Sequence, residues 1–329
     1  MNDLTEFNLE KLTQLYNSVG LKTRNMKFFT KWYYDTYRFA HLSSIDNQHL
    51  EQLCRDKTKL SVFAILIDDL ADNYKTRNLN MLQKALQIPW NDSEKFHDKY
   101  LDTTKELWND IINSVKNYPR FDEFKDLFYF DLSQFLTSIN YGYLANSMDI
   151  ANVVETKAHS YHNMMVLLFC DMDLMCSPNF DKKELGKLRP ILHWVQDITH
   201  VGNILSTYQR EIEEQDFSSP MISIALSEGV LDKETVKNNP EKTLKNLEYI
   251  IPYFKTRVEE DFQKIKDYAN TVESVDINDF YQQTKKAYEN FLRLQQYWKP
   301  NVAEIEEKEE SSEPYIPEIP KHTSNWARM

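Results

Sequence analysis

Between Asp46 and Thr76 the apolar residues Leu50, Leu53, Leu60, Phe63, Ala64 and Ile67 fall three and four positions apart, and this helical period recurs along most of the chain. It predicts helices over about 46–76, 92–117, 121–147, 150–176, 190–214, 220–228, 241–272 and 277–298. The breaks between them carry punctuation: Ile88-Pro89, Tyr118-Pro119, Ser177-Pro178, Ser218–Pro220 and Asn239-Pro240. Pro190 is expected to open a helix, and Pro252 to kink one. No series of strands and no internal repeat is readable. Only 5 of the 329 residues are Gly, too few for the hairpin turns and phosphate loops of other architectures, and neither GxGxxG nor GxxxxGK[ST] is present. The expected fold is all-α. One helical domain should span residues 1–300, followed by an acidic, Pro-containing tail over 301–329.

The net charge of −12 argues against nucleic acid and anionic membranes as partners. No apolar run reaches the length of a membrane span, and the N-terminus has no signal-peptide core. Three Cys without a CxxC spacing suit neither a disulfide scaffold nor a zinc site, and a cytoplasmic location is expected. A homodimer is an open assembly state. An anionic substrate would need local cations, from metal ions or from Lys and Arg.

Two polar stripes interrupt the apolar pattern. The run Phe63–Ile67 leads directly into Asp68-Asp69-Leu70-Ala71-Asp72. On a continuing helix Asp68 and Asp72 share one face, with Asp69 beside them. Like charges at that spacing repel unless a cation neutralises them, and hard oxygen ligands suit Mg²⁺. Three acids at this spacing arise by chance about once in so acidic a chain, so position carries the argument. The second stripe is Asn203, Thr207 and Glu211, spaced by fours on one helical stripe; an amide, a hydroxyl and a carboxylate can chelate one hard cation. Ser206 is one place off this register. The histidines His159, His162, His193 and His200 have no metal spacing, and Asp171-Met172-Asp173 reads as a helix face or end.

Together the stripes resemble the metal-binding pair of class I terpene synthases: the first the DDxxD motif, the second the (N/D)xxx(S/T)xxxE triad about 135 residues later. The resemblance runs from about Trp32 to Trp298 and includes Phe130-Asp131-Leu132 and Asp216-Phe217. It implies a helical bundle with its active site in the core. It implies a Mg²⁺-dependent enzyme, with three ions, that ionises a linear prenyl diphosphate (farnesyl or geranylgeranyl) and forms a terpene through carbocations. It assigns Asp68 and Asp72 to two ions with Asp69 nearby, and Asn203, Thr207 and Glu211 to the third. It gives diphosphate contact to Arg210, and the diphosphate-sensing position, Arg in the family, to Lys157. The positions after the sensor are Ser160 and Tyr161, where the family has a small residue instead of Tyr161. Phe63, Tyr161, Tyr297 and Trp298 are aromatic candidates for lining the cation's path, with core packing the competing role for each. The family's closing Arg-Tyr pair does not appear in Trp326-Ala327-Arg328-Met329: either the tail is cut short, or Arg328 alone does part of its work, or the cap is absent.

Two other functions fit parts of the pattern. A chain-elongating prenyl transferase shares the fold and the first motif, but would carry a second Asp-Asp pair where Asn203–Glu211 stands. A non-enzymatic helical scaffold explains the helices and the acidity but not the paired stripes.

Overall fold

The computed structural model describes residues 8–293, apart from 23, 26, 92–94 and 149. Tyr297, Trp298, Arg328 and the tail over 301–329 lie outside the described residues. Among those residues there is no strand, and no helix is long and apolar enough to cross a membrane.

The helices are α1 (Leu9–Val19), α2 (Tyr34–Phe39), α3 (Asn47–Asp68), α4 (Leu79–Gln87), α5 (Lys99–Val115), α6 (Phe121–Ser147), α7 (Val153–His159), α8 (Val166–Met175), α9 (Leu185–Glu214), α10 (Pro220–Ser227), α11 (Lys233–Asn238), α12 (Pro240–Leu247), α13 (Ile251–Tyr268) and α14 (Ile277–Leu292). Short Asp and Asn side chains start many of them. Asn8, Asp46, Asn78, Asp98, Asn152, Asp232 and Asp276 each accept a hydrogen bond from an otherwise unpaired N–H of the first turn.

The long helix α9 is the axis of the molecule. It packs on α8, α13 and α14, while α3 packs on α2 and α5, and α6 on α8. Gly202 lets α14 approach α9 closely: a Cβ there would stand 2.8 Å from the Cβ of Phe291 and 3.1 Å from the ring of Tyr288. The core between the helices is apolar and rich in aromatics, and Phe63 belongs to it: wholly buried, it packs on Trp108 of α5. Phe63 is therefore a core residue and not a lining candidate.

Several boundaries differ from the periodicity. α3 stops at Asp68 instead of running to 76, because the chain turns at Asp69–Ala71 and leaves helical pairing. The helix expected over 150–176 is broken into α7, a tight turn over Ser160–Met164 and α8, with Met165 in the left-handed region (φ 55°). A non-glycine residue there is strained, and nothing in the local sequence announces it. Pro190 lies inside α9, not at its start. Pro252 opens α13 in the first turn, where its missing N–H has no partner to lose, and so does not kink a continuous helix.

Candidate active site

Both metal-type stripes meet at one end of the bundle. α3 and α9 run toward the same end, and Asp68 and Asp72 line a small polar cavity of about 60 Å³ together with Asn203, Arg210 and Glu211. Although α3 has ended, the turn keeps its last register: the Asp72 N–H donates to the Asp68 carbonyl at 3.3 Å, so the two carboxyls stay stacked.

Two side chains that sequence reasoning missed hold these ends together. Arg77 donates to the Asn146 carbonyl at the end of α6 (2.6 Å), the Asp72 carbonyl (3.2 Å) and the Gln215 carbonyl just past α9 (3.4 Å). Asn146 in turn donates to Asp216 Oδ1 at 2.9 Å and accepts from the Phe217 N–H at 2.6 Å. Gln215 adopts the left-handed conformation (φ 52°) that ends α9 and turns Asp216 back toward the cavity.

Electrostatically the cavity is short of positive charge: Arg210 is its one lining Lys or Arg among the described residues, against four carboxyls. Burial, then the neighbouring Asp68 and Asp216, holds the Asp72 carboxyl well above its ordinary range; burial also raises Asp68. Burial and Asp216 push Glu211 up to about 7. The Thr207 hydroxyl lies within hydrogen-bond reach of the Asn203 carbonyl, at 2.8 Å, and of Glu211, and its single proton serves one of them at a time.

Not every sequence candidate arrives here. Asp69 faces away: it is wholly buried, accepts from Tyr16, pairs with Arg24 at 3.3 Å and lies 3.7 Å from Lys22. Its charge is committed to this N-terminal segment, which takes it out of the ligand set. Lys157 is exposed on α7 with its ammonium 5.6 Å from the centre of the Tyr253 ring, on the rim of a different, smaller depression. The helix break comes several residues after it, so counting back from Asn203 does not land on the site-facing turn. Tyr161 is drawn to α9, where its hydroxyl meets His193 Nδ1 at 3.2 Å, and lines the same small depression as Lys157 and neither of the two cavities at the site. Ser160 does face the polar cavity, as do Ser138, Ser218 and Asn163. Of the diphosphate candidates, Arg210 stands at the site; Lys22 enters from the N-terminal side, 3.0 Å from Glu214, where its charge partly offsets that of Asp68 and Asp72.

The polar cavity adjoins a larger one of about 200 Å³ in the bundle core. Asn163, Asn203 and Arg210 line both and form the boundary between them. Seven aromatic residues stand in the walls of the larger cavity: Phe28, Trp32, Tyr33, Tyr37, Phe169, Phe280 and Phe291. Of the aromatics chosen from the sequence that are described, neither Phe63 nor Tyr161 is among them. The stretch that supplies Phe28 to Tyr33 is a π-helical segment, one residue wider per turn than an α-helix, which clusters these rings.

The comparisons agree with this arrangement at the level of fold. A crystal structure of linalool/nerolidol synthase from Streptomyces clavuligerus, in complex with 2-fluorogeranyl diphosphate, superposes with a TM-score of 0.53 over 87% of this chain and 96% of that one, at 9% identity. The chain has the terpene synthase fold. No protein-family profile and no curated protein matches its sequence.

The donor set bears on the metal question in two ways. Among the described residues no three His, Cys, Asp or Glu side chains stand close enough to hold a metal ion. The oxygens are instead divided across a gap, two carboxylates on the α3 side and the Asn203 amide and Glu211 carboxylate on α9, with the Thr207 hydroxyl beside Glu211 on the side of the larger cavity. Hard oxygen donors whose carboxyls are raised by one another are what a bound divalent cation would relieve, and Mg²⁺ accepts few protein ligands when substrate phosphates complete its shell. The residues therefore fit Mg²⁺ bound together with a diphosphate, and not a preassembled site for the ion alone.

Proposed function

We propose that this protein is a class I terpene synthase that ionises a prenyl diphosphate and guides the carbocation that results. The observation that carries the reading is the junction of the two cavities: an acidic cavity built from both stripes adjoins an aromatic-rich one across Asn163, Asn203 and Arg210. A diphosphate–hydrocarbon substrate has this division of character. Asp68 and Asp72 on one side and Asn203, Thr207 and Glu211 on the other would hold Mg²⁺, which when bound supplies charge stabilisation for a departing diphosphate.

The chain's own residues account for the rest. Arg210 sits at the boundary and presents a guanidinium to the leaving group. The rings of Phe28, Trp32, Tyr33 and Phe169 offer faces that stabilise positive charge without attacking it. The packed bundle excludes water, which would otherwise trap the cation at once. The linalool/nerolidol synthase with its bound geranyl diphosphate analogue favours the same chemistry.

Incubation with farnesyl diphosphate and Mg²⁺ tests this directly. Diphosphate should be released together with a hydrocarbon or terpene alcohol, and EDTA should abolish it. Release that requires isopentenyl diphosphate would identify a chain-elongating transferase instead. No release from geranyl, farnesyl or geranylgeranyl diphosphate would leave the scaffold reading standing.

A further inference from the structure

Along α3, away from Asp68, the lining of the aromatic cavity is not all apolar. Lys57, on α3, lines the cavity and is 2% exposed. Its ammonium lies 2.5 Å from Oδ1 of Asp173 on α8, itself wholly buried, whose Oδ2 accepts the Leu42 N–H at 3.2 Å. Asp173, expected from the sequence to sit on a helix face or end, lies in the last turn of α8 with its side chain wholly buried. One turn nearer the mouth, Ser61 and Tyr37 line the same wall and share a hydrogen bond of 2.6 Å.

We infer that the Lys57–Asp173 ion pair is the floor of the prenyl cavity and restricts the substrate to chains no longer than farnesyl. The inference rests on the terpene synthase reading above and goes further by naming the chain-length class. Lys57, Ser61 and Ile65 line the cavity at successive turns of α3. Lys57 stands eleven residues before Asp68, about 16 Å along the helix axis at 1.5 Å per residue. That depth is comparable with an extended farnesyl chain and a full isoprene unit short of an extended geranylgeranyl chain.

A charged pair makes a firm floor for a physical reason. A hydrocarbon pressed against it strips away what polar environment the ammonium and carboxylate retain and returns nothing, whereas an apolar floor would yield by changing rotamer. The pair is also a poor device for stability, since buried ion pairs are commonly replaced by apolar groups at no loss. Its presence at the end of the cavity is better accounted for by what it excludes.

The test needs neither metal nor turnover. Binding of geraniol, farnesol and geranylgeraniol is followed by tryptophan fluorescence, to which Trp32 in the cavity wall contributes. At an unrestricted apolar site the longest alcohol binds tightest; here farnesol should bind more tightly than geranylgeraniol. Lys57→Met/Asp173→Asn removes both charges together, and the Asn carbonyl keeps an acceptor for the Leu42 N–H. In this double variant the farnesol preference should fall by about tenfold, the effect of giving room to even two further methylenes. Ser61→Leu, with the ion pair intact, raises the floor by one turn and should cut farnesol affinity relative to geraniol by about tenfold. A wild-type protein that favours geranylgeraniol, or preferences unchanged in whichever variant folds, overturns the floor. Absence of diphosphate release with these preferences intact would instead count against the synthase reading alone.

Discussion

At the residue scale the account depends on which oxygens face the acidic cavity. Asp68→Ala and Asn203→Ala each remove one donor from opposite sides of the gap, so each should reduce turnover by two orders of magnitude or more while leaving helical circular dichroism unchanged. Lys157→Ala should stay within a few-fold of wild type, because that ammonium lies over Tyr253 and not at the site. Side-by-side kinetics of the three variants check both statements. Burial and crowding also set a pH dependence. Glu211 holds its proton up to about 7 in the folded state, above the ordinary carboxylate range, and Asp68 and Asp72 are raised in the same direction. The unfolded chain loses these protons first, so the metal-free protein should lose stability as pH rises from about 4.5 through 7, by roughly 1–3 kcal/mol for Glu211. Melting in EDTA across this range should show the decline, and Glu211→Gln should flatten it. With Mg²⁺ and diphosphate the slope should reverse, since ligation needs the deprotonated carboxylates.

At the scale of elements, the site exists because the ends of α3, α6 and α9 are tied together. Arg77 makes that tie through three carbonyls, and it touches neither candidate ligand side chain. Arg77→Met should therefore weaken Mg²⁺–diphosphate binding by about tenfold or more through misplacement of the two stripes, as small displacements at a site can do, which calorimetric titration would measure. On the opposite flank, Gly202→Ala forces a Cβ to 2.8 Å from Phe291 and should destabilise the α9–α14 contact by about 1–3 kcal/mol in chemical denaturation. How much of this was readable beforehand follows from what each signal measures. Apolar periodicity reports burial, so it places α6 to the residue at both ends and locates both α3 and α9. It is blind to backbone events within a buried stretch. The left-handed Met165, the turn after Asp68 and the π-helical segment at Phe28–Tyr33 all arise from tertiary packing on an otherwise regular pattern. The stripes were legible because unlike-to-core residues at a helical spacing stand out. The aromatic wall was not, since a lining Phe and a core Phe have the same sequence signature; Phe63 fell to the core and Trp32 to the cavity. Arg77 and Asn146 were unreadable because their partners are backbone carbonyls distant in sequence.

For the whole molecule, the central claim is that two stripes on separate helices form one composite site, completed by metal and diphosphate together. In the empty protein the carboxyls of Asp68, Asp72, Glu211 and Asp216 crowd one cavity with a shortage of positive charge. Diphosphate without metal meets that negative charge, and metal without diphosphate finds no three acidic or imidazole ligands in place. Together each supplies what the other lacks, and a ligand that binds only the folded state stabilises it by RT ln(1 + [L]/Kd), about 2.7 kcal/mol at a hundredfold excess over Kd. The decisive measurement is the melting temperature with Mg²⁺, with inorganic diphosphate and with both. The composite site predicts a rise of several degrees for the pair and little for either component alone. An equal rise from Mg²⁺ alone and from the pair would contradict it, leaving only a generic cation effect on an acidic protein.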